Sequence, residues 1–184
     1  YLNISDKALN SESSIKLTLK YKNQVIAKQL VNFNYIKSVE GLNAYTVRIK
    51  GQLEELMANS LKDTITHLTI GGRISGKDIA FIRDSLNLKS IDLSQARIVE
   101  GPGEYYNDYT TQDDIVGVRM FNSMKMQTII LPNSAKTIDN YAIYQNKKLT
   151  KAVIGKNVTS IGSYAFRSCY SLALVNLPQI TTIG

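Results

Sequence analysis

The segments Leu149-Thr-Lys-Ala-Val-Ile154 and Leu172-Ala-Leu-Val-Asn-Leu177 share one apolar pattern and begin 23 residues apart. The same offset separates Ile65-Thr-His-Leu-Thr-Ile70 from Leu88-Lys-Ser-Ile-Asp-Leu93, and Met126-Gln-Thr-Ile-Ile-Leu131 begins 23 residues before Leu149. A fixed period of this length is typical of repeat proteins, in which each turn buries its apolar side against the next. The sequence therefore predicts a mixed α/β fold, a solenoid of short stacked strands and single helical turns.

The copy from Leu149 to Tyr170 shows how one repeat is built. Leu149–Ile154 predicts a short strand, and Val158–Ile161 predicts a second one after a Gly-containing turn. Tyr164–Cys169 then predicts a single helical turn, whose apolar residues lie on one inner face.

Cys169 is the single cysteine, which excludes an intrachain disulfide and a cysteine-based metal cluster. The residue 23 positions earlier is Asn146. A slot shared by Cys and Asn fits a tight turn in which a small side chain meets backbone groups. We therefore expect Cys169 to be a structural residue and not a redox or nucleophilic thiol.

The period is interrupted once. Leu88 and Met126 are 38 residues apart, 15 more than the period, and the extra residues fall near 100–114. Gly and Pro mark this stretch as a loop. Insertions in repeat proteins map to surface loops, often on a binding face. The repeat domain is therefore predicted to span 43–184, with a surface insertion near 100–114.

Residues 1–42 lack the repeat. Apolar and polar residues alternate over Ile15–Tyr21, Lys22–Gln24 fits a turn, and Val25–Phe33 fits a return strand. This predicts a small antiparallel β unit, either an N-terminal cap or the remnant of a preceding β domain.

Three further elements are predicted at the start of the repeat domain. Tyr45–Ile49 alternates like a strand, and apolar spacing predicts helices over Gln52–Leu61 and Asp78–Leu86. Asp78 is the expected N-cap of the second helix.

Composition narrows the class of protein. The chain has 184 residues, 43% of them hydrophobic, and a net charge of +7. Its basic residues are scattered without a Lys/Arg run of five, whereas nucleic-acid binding needs a concentrated patch, so no nucleic-acid partner is expected. No run of about 18 apolar residues occurs, so no membrane span is predicted. The chain begins at Tyr1 and not at Met, which fits a targeting segment already removed.

The period also places polar residues side by side. One outward column is predicted to hold His67 and Ser90, and the next holds Asp92. These residue types suggest a hydrolytic triad, but no nucleophile elbow surrounds Ser90. We therefore interpret the three as chance neighbours on a polar face, and no catalytic residue is predicted.

The insertion carries Tyr105, Tyr106 and Tyr109 among several carboxylates. Tyrosine combines a large contact area with a polar tip, which suits contact with a protein or a glycan. The carboxylates offer oxygen ligands for Ca²⁺, although their spacing matches no known loop. Ligand contact, cation binding and a plain solvated insertion stay open. The three tyrosines are the predicted ligand-binding residues, with no metal or cofactor assigned.

Two blocks of the sequence resemble the BspA-type leucine-rich repeat. They are Leu131-Pro-Asn-Ser-Ala-Lys-Thr-Ile-Asp-Asn-Tyr-Ala142 and Val158-Thr-Ser-Ile-Gly-Ser-Tyr-Ala-Phe-Arg-Ser-Cys-Tyr-Ser-Leu172. Upstream stretches resemble the leader that often precedes such repeats, so the resemblance covers about residues 43–184. Ile143 departs from the pattern, since Phe is usual there.

The resemblance implies a secreted or surface-anchored bacterial protein, similar to adhesins that bind host matrix proteins or other cells. It carries no catalytic residues. We therefore predict an extracellular or cell-surface, non-catalytic leucine-rich-repeat protein that binds a protein or glycan of a host or neighbouring cell. The alternatives are a structural spacer in a larger surface protein and, third, a hydrolase using the Ser/His/Asp group.

The repeat stops at Ile183-Gly184 without its second half or a polar cap. Since solenoids need terminal caps, we expect either a longer array or packing of this end against another molecule.

Overall fold

The computed structural model describes residues 2–3, 14–21, 24–32, 43–57 and 64–184, which fall into the units Tyr1–Ile36 and Lys37–Gly184. In the first unit, β1 (Leu2–Asn3), β2 (Ser14–Tyr21) and β3 (Gln24–Asn32) form an antiparallel sheet in the order β1-β2-β3. The antiparallel pairing predicted for this region is thus present. The domain boundary after residue 42 stays a prediction.

In the described part of the larger unit, the first five elements are three strands and two helices. They are β4 (Asn43–Val47), α1 (Leu53–Leu56), β5 (His67–Ile74), α2 (Gly76–Ser85) and β6 (Ser90–Ile98). The predicted helix over Gln52–Leu61 is described only to Met57, and its remainder lies outside the described residues.

Shorter strands follow. They are β7 (Glu104–Tyr106), β8 (Tyr109–Thr110), β9 (Ile115–Val116), β10 (Thr128–Ile130), β11 (Thr137–Ile138), β12 (Lys151–Val153), β13 (Ser160–Ile161), β14 (Leu174–Asn176) and β15 (Thr182–Ile183).

Two parallel sheets organise this unit. One has the order β14-β12-β10-β6-β5-β4 and the other β15-β13-β11-β9. From β6 onward, each repeat contributes one strand to each sheet, and neighbouring strands lie about 4.8 Å apart. The fold is therefore of the leucine-rich-repeat type, with mostly parallel strands and few helices.

The register follows the sequence period. In the longer sheet, His67, Ser90, Thr128, Lys151 and Leu174 form one continuous column. The adjoining inward column holds Leu68, Ile91, Ile129 and Ala152, all of them buried. Alternation of apolar and polar residues thus sends one face of each short strand into a shared core.

The second helix begins earlier than predicted. Ser75 is its N-cap, and Asp78 lies three residues inside it, so the assignment of Asp78 as N-cap is wrong. Buried Asp78 accepts hydrogen bonds from the backbone N–H groups of Gly51, Leu53 and Ser75 at 2.6, 2.9 and 2.8 Å. One carboxylate thereby joins the beginnings of α1 and α2, whose first N–H groups have no intrahelical acceptor.

The insertion is not a plain loop. Its strands β7 and β8 pair as an antiparallel hairpin, and Asn107 and Asp108 at its tip have φ of 40° and 62°, as a two-residue turn of this type needs. Its Gly-Pro-Gly start packs on α2: Lys77 N–H donates to Pro102 O at 2.9 Å, and a Cβ at Gly76 would collide with the carbonyl oxygen of Gly103.

The predicted single helical turns are also wrong. Residues 119–123, 141–145 and 164–168 form non-helical turns, each with a left-handed residue at both ends. The φ values are 56° and 56° (Arg119, Ser123), 56° and 59° (Tyr141, Gln145) and 59° and 64° (Tyr164, Ser168). Positive φ is incompatible with a right-handed helix.

Candidate interaction surface

His67, Ser90 and Asp92 lie next to one another, as the period predicted. His67 Nδ1 contacts Thr66 Oγ1 at 2.9 Å, and Asp92 Oδ1 accepts the Ser94 N–H at 2.8 Å. Both groups are thus engaged with residues of their own chain segments, and among the described residues neither is hydrogen-bonded to Ser90. The group therefore lacks the hydrogen-bonded chain that a Ser-His-Asp triad needs.

Two carboxylates of the insertion, Asp113 and Asp114, are engaged within the protein. Asp114 accepts two hydrogen bonds from Arg97, at 2.9 and 3.0 Å, and Asp113 accepts the Glu100 N–H at 2.7 Å. Hydrogen bonding to Asp114 raises the pKa of Arg97. Within the described ranges, no group of three or more His, Cys, Asp or Glu is arranged to hold a metal ion.

Tyr105 is a core residue, with 3% of its surface exposed. Its hydroxyl donates to Val118 O at 2.9 Å, and Gly117 leaves the space for it, since a Cβ there would collide with the phenol oxygen. Burial raises the pKa of this phenol well above its usual value. Tyr105 therefore has no face for a ligand, and the predicted contact surface loses one of its three tyrosines.

Tyr105 and Arg83 have a shared role at the start of a ladder of turns. In the ladder, the N–H groups of Arg119, Phe121 and Ser123 donate to carbonyls of the next turn, at 140, 142 and 144. The equivalent carbonyls of the first turn belong to Val118 and Met120. No repeat turn precedes the first one, so their donors must come from other elements. Tyr105 Oη serves the first, and Arg83 Nη1 serves the second at 2.8 Å. The insertion and α2 therefore cap the ladder.

Tyr106 and Tyr109 are the accessible tyrosines of the hairpin. The Arg83 guanidinium lies 4.6 Å from the centroid of the half-buried Tyr106 ring, and Tyr109 is 38% exposed. Burial lowers the pKa of Arg83, against the opposing effect of Asp84. A cleft of about 340 Å³ opens beside Arg83 and Tyr106. Its other lining residues include Asn122, Ser123 and Lys125.

A second tyrosine cluster lies on the outside of the three turns. Tyr141 and Tyr164 stack with ring centroids 5.2 Å apart, and Tyr144 meets Tyr141 edge to face at 5.5 Å. Arg119 lies 4.9 Å from the Tyr141 centroid, and Arg167 lies 4.9 Å from that of Tyr164. We call these five side chains the turn surface.

The turn surface is preorganised by the fold. Arg119, Tyr141 and Tyr164 occupy the same position in successive turns, and the backbone ladder fixes their spacing. Tyr164 is 51% exposed, and neighbouring Tyr170 is 79% exposed. Tyr and Arg are the residue types that dominate binding hot spots.

Tyr141 and Tyr164 sit where their backbone is disfavoured. Both have left-handed φ, which Gly and Asn adopt more easily than a bulky residue. Strain of this kind is retained where the side chain has a role. The rings are thus better explained by what they present outward than by backbone preference.

Asn146 and Cys169 serve the inner side of the same turns. Asn146 Nδ2 donates to Phe121 O and Ile143 O, both at 2.7 Å, and the Cys169 thiol lies 3.2 Å from Ile143 O. Burial raises the pKa of Cys169, which disfavours a thiolate. The predicted structural role of this slot is confirmed by these contacts.

Charge is divided unevenly along the chain. Residues 115–184 contain eight Lys and Arg residues and Asp139 as the one acidic residue, a net charge of +7. Residues 1–114 contain fourteen of each sign and are neutral. The turn surface therefore lies in the part of the chain that carries the whole excess of positive charge.

Sequence reasoning missed the turn surface for a specific reason. Tyr141 and Tyr164 are 23 residues apart, so their column could have been found from the period. Arg119 is 22 residues before Tyr141, because the turns and the shorter sheet advance by 22 at this step. Because of this one-residue shift, a period of 23 does not place Arg119 in the column of Tyr141 and Tyr164.

Comparison with known proteins identifies the repeat. Residues 106–184 match the model of the BspA type leucine rich repeat region in six copies, a shorter range than the resemblance over 43–184. The chain is also similar to a leucine rich cell surface protein from Faecalibacterium prausnitzii A2-165, at 16% identity and a TM-score of 0.39. That match covers 90% of this chain and 40% of the other, so the chain spans about two fifths of that protein's length.

No curated protein matches the chain. Among the described residues, every helix is too short or too polar to cross a membrane.

Proposed function

We propose that this chain, whose residues 106–184 match the model of the BspA type leucine rich repeat region, is a non-catalytic, surface-displayed solenoid that binds a protein or glycan of a host or neighbouring cell. The observation that carries the proposal is the turn surface, in which Tyr141 and Tyr164 occupy strained backbone positions and present stacked rings to solvent.

The geometry suits a ligand-binding protein better than a structural spacer. A spacer needs only stacked turns, and Asn or Gly would fill the left-handed positions at lower cost. Instead, each of the two stacked rings is in contact with a guanidinium group. Rigid aromatic residues supply contact area with little loss of side-chain entropy on binding, and extracellular display brings such a surface to its partners.

Tyr106 and Tyr109 of the hairpin form a second proposed contact. Tyr109 is exposed beside a turn, and the Arg83 guanidinium holds the Tyr106 ring. Insertions of this kind are common binding elements in repeat proteins. Because Tyr105 is buried, the hairpin contact is limited to these two residues.

Binding of the chain to host cells, to a panel of matrix proteins and to a glycan array tests the proposal. We expect the wild-type chain to bind and Y141N/Y164N to lose most binding, since Asn suits both backbone positions. Ile49→Ser is the matched control, because Ile49 is 61% exposed and lies outside both surfaces. Y109S measures the hairpin contribution in the same assays.

A wild-type chain that binds nothing in any of the three assays contradicts the proposal and favours the spacer. Equal loss of binding in Ile49→Ser and Y141N/Y164N would contradict the assignment to the turn surface.

A further inference from the structure

We propose that the turn surface binds a polyanionic polysaccharide, a glycan chain that carries sulfate or carboxylate groups. This inference rests on the proposed function and names the ligand class. Three features lead to it: the cations that flank the rings, the excess of positive charge over residues 115–184, and the regular spacing of the turns.

The cations are placed to receive repeated negative charges. Arg119 contacts the Tyr141 ring and Arg167 contacts the Tyr164 ring, each 4.9 Å from the ring centroid. Stacking fixes a guanidinium with its N–H edge free to donate, and such an edge binds sulfate and carboxylate groups in a two-pronged manner. Two fixed cations at separate turns favour a ligand with charges along its length over a single small anion.

The same part of the chain supplies further positive charge. Exposed Lys147 and Lys148 follow the second turn, and exposed Lys125 follows the first beside the cleft. Asp139 is the one carboxylate from residue 115 to the last residue. A surface of one sign attracts oppositely charged polymers and raises their association rate.

The rings favour sugars over nucleic-acid bases. Proteins that bind single strands offer open aromatic faces on which bases stack. Here Tyr141 and Tyr164 cover each other, and guanidinium groups lie over both rings. What remains accessible is ring edges, hydroxyls and guanidinium edges, which match the hydroxyl and acidic groups of a polysaccharide. Neighbouring turns recur at about 4.8 Å, close to the advance of one sugar unit.

Biolayer interferometry with immobilised polymers tests this assignment. The probes are heparin and dextran sulfate for sulfate, hyaluronan for carboxylate, and dextran as the neutral polymer. We expect salt-dependent binding to at least one acidic polysaccharide and none to dextran; heparin against hyaluronan shows which anionic group is preferred. Polyglutamate and duplex DNA are the competing polyanions.

Three double variants distinguish a specific site from a general effect of charge. R119Q/R167Q should weaken binding by about tenfold or more, because charge-assisted hydrogen bonds are lost. R73Q/K136Q is the matched control, since it removes two exposed charges that are not part of the turn surface, and it should weaken binding by less than about threefold. R119K/R167K keeps the charge without the fork and should give an intermediate affinity. Unfolding curves of each variant show that the fold is retained.

Three results would overturn the inference. They are no binding to any acidic polysaccharide, equal losses in R119Q/R167Q and R73Q/K136Q, and polyglutamate or DNA binding as tightly as the polysaccharides. If the wild-type chain then still binds cells or matrix proteins through Tyr141 and Tyr164, the proposed function stands and only the ligand class is wrong.

Discussion

Residues 43–100 and residues 115–184 contribute to the same parallel sheet, but they are built from different elements. The first region uses strands of five to nine residues with two helices, and the second uses strands of two or three residues with turns. The first has eight basic and seven acidic residues, whereas the second has a net charge of +7.

The two regions provide hydrogen-bond partners for their backbone groups in different ways. In the helical region, one buried carboxylate, Asp78, accepts the N–H groups of two chain segments. In the repeat region, a backbone ladder connects the turns, and the Asn146 amide donates to the carbonyls of Phe121 and Ile143. Because these contacts lie on the inner side of the turns, they do not require the outward side chains.

Removing the Asp78 carboxylate should have the largest effect on stability. Asp78→Ala leaves three buried or half-buried N–H groups without their acceptor, and we expect a loss of about 3 kcal/mol or more in the unfolding free energy. Urea denaturation followed by circular dichroism measures it. Exposed Asp84→Ala is the control, with an expected change below about 0.5 kcal/mol. A loss of less than about 1 kcal/mol for Asp78→Ala would contradict the role of this carboxylate.

The corresponding test in the repeat region is Asn146→Ala. It removes two 2.7 Å hydrogen bonds to buried carbonyls, and we expect a loss of about 2 kcal/mol. Asn146→Cys copies the residue of the next repeat and should cost about 1 kcal/mol, since a thiol is a weaker donor. Exposed Asn157→Ala is the control. Equal losses for Ala and Cys would show that the slot needs the amide specifically.

The junction between the two regions can be tested through Tyr105. Tyr105→Phe removes the donor to Val118 O and should cost about 1 kcal/mol at neutral pH. Because burial raises the pKa of this phenol, the unfolded chain ionises first, and wild-type stability falls as pH rises above about 10. The deficit of Tyr105→Phe should therefore shrink or reverse near pH 11. Tyr109→Phe is the matched control for a lost hydroxyl, and a deficit independent of pH would contradict the burial effect.

The repeat period made the strands, their register and the buried Asn146/Cys169 slot predictable. It could not reveal the left-handed turns, because Tyr164 and Ser168 are not residues that signal positive φ. Nor could it place Tyr105, since the surrounding Gly, Pro and Asp residues indicate a solvated loop. Its burial depends on a long-range hydrogen bond to Val118 and on the absence of a side chain at Gly117.

The smallest effect on stability is expected at the turn surface itself. Tyr164→Asn relieves a left-handed backbone strain of about 1 kcal/mol and loses a stacking interaction of similar size. We therefore expect the unfolding free energy to change by less than about 1 kcal/mol, while binding to the acidic polysaccharide weakens. A loss of stability of about 2 kcal/mol or more would show that the rings hold the turns together. The repeat region would then resemble the helical region in using its side chains for stability, and the contrast between a structural half and a binding half would fail.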